Sequence, residues 1–259
     1  MTNNPQSKNR IHFLDEMRGL AVFCMVFYHA FYVIGEFFGA EWAESLFCFF
    51  LPVQPLFAGI FIFLCGISCT LSKSNVKRGA NLLGIALGMT LVTAVVMPKM
   101  GFYNCEIYFG ILHFLSLSIL ISALLSKPIS KASPFIGILL CAVLYAFSSG
   151  IDKGVLNYGE LISITLPESL YESNLLMPIG IYAPGFFSAD YFPLFPDIFI
   201  FFSGVFAGRY FLKNGWPETF YQKRASFLSW LGRKALMIYI VHMPAVYALA
   251  YAIDFVIKN

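Results

Sequence analysis

Charge is what this sequence has least of. Asp, Glu, Lys and Arg make up 12% of its 259 residues, about half the roughly 25% of a soluble globular domain. So few solvated side chains cannot clothe a soluble fold of this size. No run of basic residues breaks the apolar background, which excludes nucleic acid as an expected partner. Metal-ligand spacing is missing too. Cys24, Cys48, Cys65, Cys69, Cys105 and Cys141 fall mostly within apolar runs. Cys65 and Cys69, about one helical turn apart, read as small packing residues, and neither a metal nor a disulfide is expected. The first apolar stretch, behind a polar tail at 1–10, shows no small-residue cleavage site before the next charged cluster and is long for a signal peptide. It reads as a retained span.

What remains is 59% hydrophobic and is punctuated by charge at membrane spacing. Twenty uncharged residues separate Arg78 from Lys99, Glu106 from Lys127, and Lys131 from Asp152, and 19 separate Lys234 from Asp254. At 1.5 Å per residue, about 20 residues cross the ~30 Å hydrocarbon core. The 17 residues between Arg18 and Glu36 are a further span. Ser45–Ser72, uncharged over 28 residues but broken by Pro52 and Pro55, reads as one kinked or discontinuous span. Tyr191–Gly208, interrupted by Pro193, Pro196 and Asp197, makes a seventh.

The positive-inside rule fixes the expected orientation. With the N-terminus cytoplasmic and seven crossings, 14 of the 17 basic residues fall inside, leaving Lys99, Lys153 and Lys258 outside. Of the acidic residues only Asp15, Glu16 and Glu218 fall inside. The expected fold is therefore an all-α integral membrane protein of about seven transmembrane helices, N-in and C-out. An outer connection at about 152–189 is too long for a structureless loop. Its Pro178, Gly180, Pro184 and Gly185 forbid a regular helix, so an extracytoplasmic cap or re-entrant segment is expected. The spacings "GIALG" (Gly84, Gly88) and "GVFAG" (Gly204, Gly208) suit close helix packing and permit a homodimer.

Ionisable residues inside spans are costly and usually face a cavity or a partner. His29 lies ~16 Å along its helix from Arg18. His113 lies ~10 Å in from Glu106, and His242 ~12 Å in from Lys234. Asp197, seven residues past Asp190, reaches a depth similar to that of His113. Four such groups on four spans read as the lining of one polar cavity. Singly, each also reads as an interhelical hydrogen-bonding residue, with Asp197 paired to His113 and Asp15 ion-paired to Arg18. The set suits an acyl-transfer enzyme or a proton-coupled transporter equally, and a non-catalytic membrane partner also remains open.

Five stretches, in order, resemble one family. "FLDEMRGLAVFCMVFYHAFY" at 13–32 is similar to the first span of the heparan-α-glucosaminide N-acetyltransferase-like proteins, within the broader transmembrane acyltransferase superfamily. "QPLFAGIFIFLCGISCTLS" at 54–72 and "YFGILHFLSLSILI" at 108–121 resemble later spans. "GFFSADYFPLFP" at 185–196, followed by "GVFAGR" at 204–209, is the most specific match, and "LGRKALMIYIVHMP" at 231–244 resembles the closing segment. Ala235 stands where the family has serine, and Asp197 where it has an aromatic residue. The larger members carry their catalytic histidine in a loop after the first span. This chain has no histidine between His29 and His113, so that role passes to His29 by the broader superfamily's pattern.

The resemblance implies a single transmembrane acyltransferase-like domain over 1–259, multi-pass in its membrane, which for a bacterial protein is the plasma (inner) membrane. It implies transfer of an acyl group, acetyl above all, from cytoplasmic acetyl-CoA to an extracytoplasmic glycan or small-molecule acceptor. His29 is then general base or acyl carrier, with His113, Asp197 and His242 completing the catalytic set. Arg18, Lys77, Arg78, Arg233 and Lys234 suit the coenzyme A phosphates, although the positive-inside bias alone also places charge there. Asp190, Ser188 and Tyr191 are the expected acceptor-binding residues. Asp190 reads equally as a helix N-cap, with Ser188 as its rival, and the aromatic residues around it as an interfacial belt.

Overall fold

The computed structural model describes residues 10–101, 103–159 and 161–258, with their side chains apart from those of 37 and 254–258. The tail at 1–9 with Lys8, Glu160, and the side chains of Asp254 and Lys258 lie outside the described residues. In chain order the helices are α1 (His12–Phe38), α2 (Glu41–Phe50), α3 (Gln54–Leu71), α4 (Asn75–Leu91), α5 (Met97–Lys99), α6 (Ile111–Leu124), α7 (Ser126–Lys131), α8 (Pro134–Ser148), α9 (Ile198–Asn214), α10 (Ser226–Arg233) and α11 (Ala235–Lys258). The one described sheet is a hairpin, β1 (Val155–Tyr158) with β2 (Ile162–Thr165), in the register Val155↔Thr165 to Tyr158↔Ile162. The protein is all-α apart from this hairpin.

Five stretches are long and apolar enough to cross a membrane among the described residues: His12–Glu36, Glu41–Leu71, Asn75–Lys99, Pro134–Lys153 and Ala235–Ile253. They fall on five of the seven expected spans. Glu41–Leu71 is discontinuous as expected. Pro52 sits in a 3₁₀ turn at Leu51–Val53 that separates α2 from α3. Asn75–Lys99 passes through a π-helical turn at Val92–Val96. Most of the apolar surface of these helices faces outward: Phe135, Ile136 and Leu139 of α8 are all about two-thirds exposed, as lipid-facing residues are.

The remaining two expected spans are corrected to shorter helices. The expected 107–126 is continuous α-helix only over the 14 residues of α6, about 21 Å long. The expected 191–208 begins as helix only at Ile198, giving the 17 residues of α9. The two start late for different reasons. Gly110 is extended, while Pro193 and Pro196 keep 191–197 out of a helix. The expected cap is folded: the β1–β2 hairpin is followed by 3₁₀ turns at Glu168–Tyr171 and Met177–Ile179.

The contacts divide the chain into two compact units, one of 1–64 with 215–259 and one of 65–214. In the first, α1 crosses α10 at two glycines. A Cβ on Gly19 would stand 1.9 Å from the Leu228 carbonyl oxygen, and one on Gly232 would stand 1.8 Å from that of Asp15. The backbones touch because neither position carries a side chain. Further along, α1 packs on α11 through Val33, Val246 and Ala250. In the second unit the C-terminal part of α3 packs on α9 at Gly66, where a Cβ would stand 2.0 Å from the Phe201 carbonyl oxygen. Gly208 of "GVFAG" meets Thr70 in the same way. Gly84 and Gly88 of "GIALG" have nothing within 4 Å, so that expected packing face is open.

Candidate active site

The first unit brings two histidines together. Helix α1 is unbroken from His12 to Phe38, so the eleven residues from Arg18 to His29 make three turns plus about 20°. Both side chains therefore leave the same face of the helix, ~16 Å apart. The Nδ1 of His29 lies 3.0 Å from the Met25 carbonyl oxygen. A carbonyl can only accept, so Nδ1 carries the hydrogen and the neutral ring turns its basic lone pair out at Nε2. His242, buried in α11, repeats the arrangement with its Nδ1 2.6 Å from the Tyr239 carbonyl oxygen. The two ring centroids are 5.0 Å apart, with planes tilted by 58°. Tyr28 stands edge-on to His29 at 5.5 Å.

At the basic end of the same unit, Asp15 is buried and accepts from Arg10 Nε at 2.5 Å and from Arg18 at 3.2 Å. The anticipated Asp15–Arg18 pair is present. Glu16, also buried, accepts the backbone N–H groups of Arg224 and Ala225 at 2.8 and 2.9 Å, which caps the start of α10. That helix carries Arg233, exposed and donating to Ser229 Oγ at 3.0 Å, and leads into exposed Lys234. Nothing in the sequence around Glu16 announces a helix cap, because its partners lie more than 200 residues away.

In the second unit His113 has a partner on each nitrogen. The Gly110 N–H donates to Nδ1 at 3.2 Å, which fixes the hydrogen of the neutral ring on Nε2. Nε2 then donates to Thr90 Oγ1 at 3.2 Å, and that hydroxyl donates to the Ile107 carbonyl at 2.7 Å. Every hydrogen in this chain is placed, so His113 stitches the start of α6 to α4. It bonds Thr90 and Gly110 rather than Asp197. Thr93, one turn after Thr90, accepts the Ile107 N–H at 3.0 Å. The two threonines together hold both polar groups of one peptide residue. Their three-residue spacing in an otherwise apolar span was the signal available for them in the sequence.

The expected acceptor-binding residues lie beside this knot and are engaged by it. Asp190 Oδ2 accepts the Ile111 N–H at 3.1 Å, so it caps α6 across the chain rather than its own span. Ser188 Oγ accepts the Tyr108 N–H at 3.1 Å. Backbone bonds from Ala189 to Glu106 and from Phe192 to Phe109, at 2.8 and 3.0 Å, zip the two strands of chain together. Tyr191 donates to the Met177 carbonyl at 2.6 Å and packs edge-on to Tyr182 and Phe186 at 5.2 and 5.1 Å. Burial first, and then the Asp152 carboxylate, push the Tyr182 phenol above its ordinary range. Asp197 stands just before α9, its carbonyl accepting from Ile200 and Phe201.

Two basic residues of this unit are also engaged. Arg78 donates to Cys65 Sγ at 3.3 Å and to Cys69 Sγ at 3.8 Å, so the two buried thiols receive a guanidinium as well as filling space. Arg209 donates to the carbonyls of Ile129, Ser130 and Ala132, closing the C-terminal end of α7. Lys77 is exposed at the first turn of α4, its backbone N–H capped by Ser74.

The family described as heparan-alpha-glucosaminide N-acetyltransferase, catalytic, matches residues 10–244. The match takes in both histidines of the pair, the basic ends and the Asp190 knot. No curated protein and no solved structure matches the chain.

Proposed function

Because this chain belongs to the heparan-α-glucosaminide N-acetyltransferase catalytic family of membrane enzymes, we propose that it moves the acetyl group of acetyl-CoA onto an amine or hydroxyl of a glycan or smaller acceptor across the membrane. The observation that carries the reading is the His29–His242 pair, with His29 three turns from Arg18 on one face of α1. In this reading the seven-span, N-in/C-out arrangement of the charge pattern holds, and the donor arrives from the cytoplasm. Arg18, Arg233 and Lys234 take coenzyme A phosphates. The ~16 Å to His29 suits an extended thioester arm.

His29 acts through Nε2, the nitrogen its hydrogen bond to Met25 leaves basic. As the acceptor's nitrogen or oxygen attacks the thioester carbonyl, its proton passes to Nε2. The tetrahedral centre expels the coenzyme A thiolate, and the proton follows to sulfur. Acceptor and acetyl-CoA enter; acetylated acceptor and free thiol leave. His242 presents a second Nε2 beside the first and shares the proton during the cycle. In a two-step variant His29 Nε2 takes the acetyl group itself and then yields it to the acceptor.

The test is acetyl-CoA binding and turnover by the wild type and His29→Ala. The expected outcome is retained binding with lost transfer. Full transfer by the variant would remove His29 from the chemistry, and absence of donor binding by folded wild-type protein would remove the donor assignment. Acid-quenching a reaction with labelled acetyl-CoA separates the routes, because label remains on the protein only in the two-step variant.

A further inference from the structure

The two faces of α10 have different surroundings. Ser229 and Gly232 are buried, with Gly232 directly against the α1 backbone. Phe227 and Trp230, three apart and so neighbours on the helix surface, are 59% and 49% exposed. The Phe227 ring meets Phe23 edge-on at 6.3 Å, and Phe23 leads to Phe27 at 4.7 Å. Both α1 rings belong to the outward apolar face of a membrane-crossing helix. The exposed aromatic face of α10 is therefore continuous with a lipid-facing surface. Its far end is tied to the membrane as well: α10 stops at Arg233, and the apolar span Ala235–Ile253 begins two residues later.

The charge that the chain itself brings along α10 has one sign. Lys223 and Arg224 precede α10, Arg233 and Lys234 close it, and residues 219–253 contain no Asp or Glu. Two acidic residues of α1 stand beside α10: the Asp15 carboxylate is paired with Arg10 and Arg18, and that of Glu16 accepts from the Arg224 and Ala225 backbone. It is thereby aimed at main-chain hydrogens at the helix start. Aromatic rings at the level of the headgroups, flanked by cations, are how a short helix lies in a membrane interface, and each cation near an anionic surface adds about 1 kcal/mol.

We propose that the Phe227/Trp230 face of α10 lies in the bilayer interface and that Lys223 and Arg224 bind the phosphate of an anionic phospholipid. The proposal rests on the membrane assignment and is independent of acetyl transfer.

The test uses the full chain in nanodiscs. With Trp42→Phe and Trp216→Phe, Trp230 is the remaining tryptophan. Phosphatidylcholine or phosphatidylglycerol brominated near the headgroup end of the acyl chains is titrated into unbrominated phosphatidylcholine. Both lipids should quench Trp230. Phosphatidylglycerol should reach half-quenching at a lower lipid fraction, by about fivefold for each cation engaged. Lys223→Gln with Arg224→Gln should bring the two curves together.

Absence of quenching by either lipid would overturn the interfacial placement, and coincident curves for the unmutated pair would overturn the headgroup site. A phosphatidylglycerol preference abolished by acetyl-CoA or inorganic phosphate would assign the cations to a soluble phosphate ligand instead, and so would overturn it too. Should the double tryptophan replacement fail to fold, native mass spectrometry of the wild type gives the same decision. It should retain phosphatidylglycerol in preference to phosphatidylcholine, and Lys223→Gln/Arg224→Gln should lose that preference; equal retention of the two lipids by the wild type would overturn the site.

Discussion

His29 and His113 are the same residue type within apolar helices, yet their hydrogen bonds give them opposite employment. His113 donates and accepts within the fold, through Thr90 and Gly110. His29 uses Nδ1 to fix its ring on Met25, which leaves Nε2 as the basic nitrogen and, in the proposed reaction, the working atom. Replacing His29 with Ala is expected to lower acetyl transfer by about 10²–10⁴-fold, the range for a positioned acid–base group, as read by single-turnover assay. Thr90→Val should act on stability instead. It removes the acceptor for His113 Nε2 and the donor for Ile107, each loss costing about 1–3 kcal/mol when the partner is buried. The readout is a lower unfolding midpoint in detergent, with donor affinity unchanged. The sequence showed the depth of each histidine but not this division of labour. Depth follows from counting along a helix, whereas a ring's partners depend on which turn of which neighbour it meets.

At the scale of the element, the two short helices are the departure from a reading by hydropathy. The stretch 107–126 carries no Asp, Glu, Lys or Arg and is mostly apolar, so composition alone makes it a full span. Its first four residues are instead held in an irregular stretch by Thr90, Thr93, Ser188 and the backbone of 189–192. None of those partners is local, so no local signal marked the shortened start. The kink near Pro52 and the folded cap were legible because proline and glycine act on their own backbone. Asp190→Ala should lose the cap on α6 and destabilise the second unit by about 0.5–2 kcal/mol, measured by thermal unfolding. Asp190→Asn should restore most of that, because an amide oxygen also accepts. Gly19→Ala drives a methyl group into the Leu228 carbonyl and must part α1 from α10, at about 1–3 kcal/mol or more. Since Arg18 and Arg233 flank that crossing, its KM for acetyl-CoA should rise together with the loss of stability.

For the molecule as a whole, the charge pattern carries the topology. In the proposed arrangement fourteen basic residues lie on one face and eleven acidic ones at the other; that partition takes seven crossings, with the short α6 and α9 each counting as one. Single cysteines introduced near the two termini of a cysteine-free background should be labelled from opposite sides of sealed vesicles by an impermeant maleimide. Labelling of both from one side would mean an even count, and would withdraw one of the short helices from the set of crossings.

The cap on α6 also has a bearing on how the protein is made. Ile111 and the carboxylate that caps it are 79 residues apart. At about 5–20 residues per second, a ribosome needs roughly 4–16 s to cover that distance. For the later part of that interval α6 has left the exit tunnel while its capping residue does not yet exist, and its leading N–H groups face whatever the insertion machinery offers. A nascent chain stalled before Ser188 would hold an α6 that cannot be finished. Cellular quality control would meet the chain in that unfinished form, which makes 188–192 the point in translation at which this half of the protein first becomes able to close.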